Sequence, residues 1–313
     1  MNRTAPSQER VVAERRLASL TKALGPAMIY TLSLHDALPI LINCDGQMRV
    51  DRVGRGIETT DARLSVAERE TAIRLLAAEA FETVTEHHPF LAATLPGSGA
   101  RVQALIAPIV SAPVLAIRKR PKLIYTLDDY VRTGVASAAQ AAKLRQAILT
   151  RRNIVVAGGT GSGKTTLLNA LLAEPDFTAS RLLILEDTAE LQCAGADVVQ
   201  LLTKRSHPQV SMRDLVQMTL RLRPDRIVVG EVRDGAALEV LKAWNTGHPG
   251  GLLTIHANCA ADALLRLEDL CFETGAARPE RLIASAVDTI VFMARTAEGR
   301  RIEEIVSCKG VER

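Results

Sequence analysis

From about Asn153 onward, short apolar runs alternate with stretches whose apolar residues recur every three or four positions. Ile154-Val155-Val156-Ala157, Leu182 to Leu185, Ile227 to Val229 and Leu252 to Ile255 read as buried strands, with amphipathic helices between them. That alternation predicts a parallel α/β sheet. The chain before it is patterned differently. Residues 8–24 predict a basic helix with Leu17, Leu20 and Leu24 on one face. QMRVDRVGRGIE (47–58) predicts a hairpin around a glycine turn, residues 65–86 a helix, and RVQALIAPIVSAPVLAIRKR (101–120) paired strands broken by prolines. Such mixed short elements predict an α+β domain over residues 1–120. PKLIYTLDDYVRTG (121–134) reads as a linker. The helix AAQAAKLRQAILTRR then leads into a second domain over 135–313.

The composition narrows this picture without changing it. Length, 313 residues, suits two domains with separate cores. Apolar residues make up 47% but aromatic ones only 3%, so the cores are expected to be aliphatic. A net charge of +4 permits anionic partners without indicating nucleic acid. Five scattered cysteines, with no C-x-x-C pair, suit reduced thiols in a cytoplasmic protein and neither a disulfide framework nor a zinc site. No run approaches the roughly 20 apolar residues of a spanning helix. The expectation is therefore a cytoplasmic protein, with room for peripheral contact at a membrane. IYTLSLHDALPI (29–40) reads equally as an ordinary helix and loop or as the translation of a sequencing adapter, so no function is placed on His35 or Asp36.

The chemistry sits at the ends of the predicted strands. After Ala157 comes GGTGSGKTT, then the helical LLNALL, which is G-x-x-x-x-G-K-[ST] with a strand before it and a helix after it. Residues Gly158, Gly159, Thr160, Gly161, Ser162, Gly163, Lys164, Thr165 and Thr166 thus predict a nucleoside triphosphate site. The glycines let backbone N–H groups curl around phosphate oxygens, Lys164 reaches the β- and γ-phosphates, and the Thr165 hydroxyl ligates Mg²⁺. Glu186, Asp187 and Glu190 follow the second strand, where a parallel sheet gathers its active groups; a helix N-terminus would hold any one of them as well. Glu186 is a further candidate metal ligand. Glu231 follows the third strand, where a magnesium-binding carboxylate is expected, although aspartate is commoner there. GHPGGLLTIHAN frames a strand with His248 and His256. Packing and nucleotide sensing both fit these two residues; metal binding lacks third and fourth ligands at a recognisable spacing.

In this order, GGTGSGKTT, ILEDTAE, RPDRIVVGEVRDGAA and GHPGGLLTIHAN resemble the Walker A, Asp box, Walker B and His box of the secretion ATPase superfamily of type II and type IV secretion and pilus motors. The phrasing is most similar to TrbB-type ATPases of conjugative transfer. The match is strong over the second domain and weak over the first. Thr188 departs from the pilus motors, which usually carry proline there. The resemblance implies a RecA-like P-loop NTPase domain behind a smaller α+β domain, a homohexameric ring, ATP and Mg²⁺ between the two domains, and a partner in an inner-membrane secretion or conjugation channel. It further implies Glu190 as the group that activates water, Glu231 on the metal, and His256 with His248 as γ-phosphate sensors. Arg101 and Arg118 match best the arginines that relatives supply from the first domain, ahead of Arg205, Arg213, Arg221 and Arg223. A nucleic-acid translocase and a type II secretion or pilus motor share this core. Three tyrosines, one tryptophan and the modest charge argue against direct nucleic-acid binding. A nucleotide-gated assembly factor without turnover is disfavoured by the two glutamates, and an ABC subunit by the lack of an LSGGQ-like signature.

Overall fold

The 47–58 hairpin forms as strands β2 (Gln47–Arg52) and β3 (Gly56–Arg63), antiparallel with Arg49 opposite Thr59 and Arg52 opposite Gly56. This is a computed structural model, and it describes residues 37–52, 56–95, 99–118, 124–204, 208–276, 279–297 and 299–308. The basic segment 8–24, residues 29–36 and Arg205 lie outside the described residues. The chain divides between Lys122 and Leu123 into two compact units.

In the first unit, β1 (Ala37–Ile42), β4 (Phe90–Thr94), β5 (Arg101–Leu105) and β6 (Val114–Arg118) join the hairpin in a six-stranded sheet of order β3-β2-β1-β6-β5-β4. The proline-broken run 101–120 supplies the antiparallel pair β5 and β6, as its pattern predicts. Residues 37–40, the end of the adapter-like stretch, begin β1, and Ile40 is fully buried in the core beside Ile42, Met48, Leu115 and Ile117. The helix expected over 65–86 is shorter, α1 (Val66–Glu79). It starts at a capping box: Ser65 Oγ accepts the Glu68 N–H, and Glu68 Oε2 accepts the Ser65 N–H at 2.8 Å. It stops because Phe81 turns left-handed at φ 58°, so that the Phe81 and Glu82 N–H groups close back on the carbonyls of Ala78 and Ala77. Apolar spacing that continues to Val84 hid this stop.

The second unit carries a seven-stranded sheet, order β13-β12-β7-β11-β10-β8-β9. Its strands are β7 (Ile154–Gly158), β8 (Leu182–Glu186), β9 (Val198–Leu202), β10 (Arg226–Val229), β11 (Leu252–Ile255), β12 (Thr289–Thr296) and β13 (Gly299–Ser307). All pairings are parallel except β12 with β13. The four apolar runs read from the sequence are the central strands, buried throughout because helices cover both faces. Alternation within each strand divides the core. Val155, Ala157, Leu183, Leu185 and Val229 pack on helices α6 (Met212–Thr219), α7 (Ala236–Asn245), α8 (Ala260–Phe272) and α9 (Pro279–Ala286). Ile154, Val156, Leu182, Ile184 and Val228 pack on the opposite set, α2 (Leu127–Arg132), α3 (Ala138–Leu149), α4 (Lys164–Leu172) and α5 (Pro175–Thr178).

The expected linker over 121–134 needs correcting. Its residues 127–132 are α2, opened by a capping box between Thr126 and Asp129, and Leu127 and Tyr130 are buried in the second unit's core. LDDYVR lacks a long periodicity because the helix is only six residues. After β11 the chain crosses to the other side of β7 to form β12. The carboxyl end of β7 therefore faces a crevice between two divergent connections, where open α/β sheets place their ligands.

Candidate active site at the carboxyl end of the central sheet

The loop GGTGSGK leaves β7 and enters α4, and its glycines are required by geometry. Gly158, at φ 156°, leaves no room for a side chain: a Cβ there would meet the Met293 carbonyl oxygen at 2.5 Å and Ser162 Oγ at 2.6 Å. Gly161 and Gly163 have φ of 73° and 100°, conformations that L side chains rarely adopt. Gly163 is also the N-cap of α4, with no side-chain cap, so the first helical N–H groups stay directed at the loop. A ring of backbone donors at a helix N-terminus is an anion cradle, and it fits the phosphates of a nucleotide.

Lys164 stands inside the cradle, only 8% exposed. Its ammonium donates to the carbonyls of Gly158 at 2.8 Å and Gly159 at 3.0 Å, and lies 3.4 Å from His256 Nδ1. Burial lowers its pKa, and Glu231 acts in the opposite direction. Because the ammonium can only donate, Nδ1 of His256 accepts, which leaves the ring proton on Nε2, 2.7 Å from Glu231 Oε1. Burial, and then the neighbouring Lys164 charge, hold His256 below the usual imidazole range. Arg233 grips the other side of the same carboxylate, its Nε 2.6 Å from Glu231 Oε2. Lys164, His256, Glu231 and Arg233 thus form one chain of charge and hydrogen bonds along the mouth of the sheet. The backbone holds it in place: Thr254 Oγ1 donates to the Gly230 carbonyl at 2.6 Å, and the Val232 N–H donates to the Thr254 carbonyl at 3.0 Å.

The other predicted residues divide. Thr165 and Thr166 lie in the first turn of α4, half-buried, and the exposed Gly159 and Thr160 form the crest of the loop. Asp187 and Glu231 both line a cleft of about 150 Å³, together with Thr203, Ser211 and Asp234. Glu190 runs beside α4, where Asn169 donates to its carbonyl at 3.4 Å. Glu186 lies buried where β8 ends. It is 3% exposed, and its Oε1 accepts the N–H groups of Glu190 at 2.9 Å and Leu191 at 2.8 Å, so this carboxylate shapes the turn that carries Glu190. His248 is not brought to the phosphate loop. It precedes β11, with Nδ1 3.2 Å from the carbonyl of Pro224, a residue that precedes β10, at the amino end of these parallel strands. The glycine pair beside it is a packing device: a Cβ on Gly251 would meet Trp244 Nε1 at 2.1 Å, and Asn153 Oδ1 holds both the Gly250 and Gly251 N–H groups. Arg101 and Arg118 sit directly opposite each other where β5 begins and β6 ends, in the first unit.

Two arginines escaped the sequence reading. Arg300 Nε donates to the Gly161 carbonyl at 2.9 Å, and Arg295 Nη1 lies 3.6 Å from where a Gly161 Cβ would stand. Both belong to the β12–β13 hairpin, whose return to the loop left no local signal.

The donor set also suits magnesium, which takes hard oxygen ligands and shares them with phosphate: the Thr165 hydroxyl and the Glu231 carboxylate. Among the described residues no three His, Cys, Asp or Glu side chains cluster to hold a metal by themselves. A magnesium ion shared with a nucleotide needs only one or two protein ligands.

A six-stranded antiparallel sheet ahead of a RecA-like parallel sheet, with a P-loop at its carboxyl end, defines a nucleotide-binding α/β class. Comparison with known proteins refines this: residues 57–301 match the family Type II/IV secretion system protein, and the chain belongs to that family. It is 45% identical to conjugal transfer protein TrbB of Rhizobium radiobacter over 298 residues, covering 95% of this chain and 91% of the relative. It is 30% identical to type IV secretion system protein VirB11 of Bartonella henselae, covering 94% of each chain. The X-ray structure of the Legionella pneumophila ATPase DotB shares the fold, with a TM-score of 0.64 at 20% identity, covering 99% of this chain and 83% of that one.

Proposed function

We propose that this protein hydrolyses ATP with Mg²⁺ at the GGTGSGKTT loop and couples the reaction to a type IV secretion apparatus of the conjugative kind. The observation that carries the reading is Lys164, buried in a glycine cradle and joined through His256 to Glu231. A phosphate bound in the cradle offers Lys164 stronger acceptors than two loop carbonyls. His256, freed at Nδ1, then stands where it distinguishes a third phosphate from a second. Glu231 and Thr165 are the residues that would hold magnesium, which when bound would neutralise charge on the β- and γ-phosphates. Glu190, on the turn built by Glu186, is the candidate to orient the attacking water. Arg101 and Arg118, by the family resemblance, assist as cationic groups in the transition state.

The relatives' names support the conjugative assignment, and family membership supports a homohexameric ring working at the cytoplasmic face of the inner membrane against a channel partner. Among the described residues no helix is long and apolar enough to cross a membrane. Direct nucleic-acid contact is no part of this reading.

The test is release of phosphate from Mg-ATP by the purified protein. Turnover that stops on chelation of the metal supports the reading. Tight ATP binding without turnover would instead leave a nucleotide-gated assembly factor.

A further inference from the structure

The phosphate loop has two flanks. In the sheet order, β11 lies on one side of β7 and β12 on the other. The β11 side carries His256 and Glu231, both tied to Lys164 and therefore to the γ end of a bound nucleotide. The β12 side carries Arg295 and Arg300.

Three observations on that second flank converge. Arg295 and Arg300 are directly opposite each other in the β12–β13 ladder, both exposed. Like charges in opposed positions destabilise a strand pair, and among the described residues neither arginine has a carboxylate partner to offset this. Both nevertheless turn toward the loop. Arg300 Nε is hydrogen-bonded to the Gly161 carbonyl, its Cδ would lie 3.2 Å from a Cβ on Gly163, and Arg295 Nη1 comes close to Gly161. Among the described residues the bond to Gly161 is the one hydrogen bond of the Arg300 side chain, which leaves the two terminal nitrogens of its fork for another acceptor.

We propose that Arg295 and Arg300 form a cationic clamp on the α- and β-phosphates of the nucleotide, the diphosphate that ATP and ADP share. The proposal rests on the loop being a nucleotide site and adds a division of labour to it. The β11 flank discriminates ATP from ADP; the β12 flank holds both alike. The repulsion built into the hairpin is relieved when the anion enters between the two guanidinium groups.

Calorimetric titration of the full-length protein with ADP, and separately with a non-hydrolysable ATP analogue, tests this. R295Q and R300Q should each raise Kd by about tenfold for both ligands, the scale of one lost charge-assisted hydrogen bond. The ATP-analogue to ADP ratio should stay at the wild-type value, and the dependence of Kd on salt should flatten. R295K and R300K should recover most of the affinity, because the charge remains. R295Q without ligand should melt no lower than wild type, since a repulsion has been removed. Wild-type Kd in the R295Q/R300Q double variant would overturn the clamp. So would a loss confined to the ATP analogue, or equal losses in the Gln and Lys variants; the last would reduce Arg300 to a tether for Gly161. If the wild-type protein binds neither ligand, the nucleotide reading itself fails and the clamp falls with it.

Discussion

At the scale of single residues, the proposed mechanism rests on Lys164, His256 and Glu231, to each of which it gives a separable role. His256→Ala should lower turnover while leaving ADP affinity near wild type, because its role concerns the third phosphate; parallel kinetics and ADP titration check this. Glu190→Gln should keep Mg-ATP binding and lose turnover, whereas Glu231→Gln should also weaken the magnesium dependence of binding. If both variants turn over normally, the strand-end assignment is wrong. Gly158→Ala should abolish nucleotide binding, since its Cβ has no space against Met293 and Ser162. The loop was legible because its demands are local: glycines that free the backbone, and a lysine and threonine in the next helical turn. The two histidines were harder. They are framed alike in GHPGGLLTIHAN, but a four-residue strand separates them, and in a parallel sheet only the carboxyl end belongs to the site. Applied strictly, that rule selects His256 and leaves His248 as packing. Glu186 ends a strand at the same edge, and its Oε1 accepts two backbone N–H groups, a structural task the sequence pattern did not show.

At the scale of elements, several helices depend on capping boxes whose acids are held below their ordinary pKa range. Glu68 is held there chiefly by the Ser65 hydroxyl, Asp129 by the Thr126 N–H and Asp214 by the Ser211 hydroxyl. For a carboxylate with a depressed folded pKa, the stabilisation is present above the unfolded value and is lost as pH falls through the folded one. The thermal midpoint should therefore fall on acidification below the ordinary carboxylate range, and less steeply in Asp214→Asn than in the wild type. Ile302 of β13 is buried in the core that α3 completes, and its carbonyl accepts from Gln140 at 3.0 Å. Ile302→Ala should cost about 2–5 kcal/mol in a denaturant titration. The central strands were legible as uninterrupted apolar runs, because helices bury both of their faces. The helix α2 was not: six residues give no periodicity, and only burial of Leu127 and Tyr130 reveals that the supposed linker is core. The β12–β13 hairpin was missed for a related reason, since its importance lies in what it returns to and not in its own pattern.

At the scale of the whole molecule, the chain belongs to the Type II/IV secretion system protein family, and the proposed reaction falls at the carboxyl end of one sheet. The resemblance adds a ring of six subunits and arginines from the first unit. Light scattering with and without ATP should give a hexameric mass, and a monomer under both conditions would remove the ring. The double variant Arg101→Ala, Arg118→Ala should lose about 10³ in turnover while still binding ADP, if these residues serve as arginine fingers. The single measurement that bears most directly on the central claim is the rate of ATP hydrolysis by Lys164→Ala beside the wild type. Removing the ammonium that spans the β- and γ-phosphates should reduce turnover by at least about a hundredfold, the scale of losing one preorganised transition-state contact. Turnover near the wild-type rate in that variant would contradict the assignment of this loop as the site of the reaction.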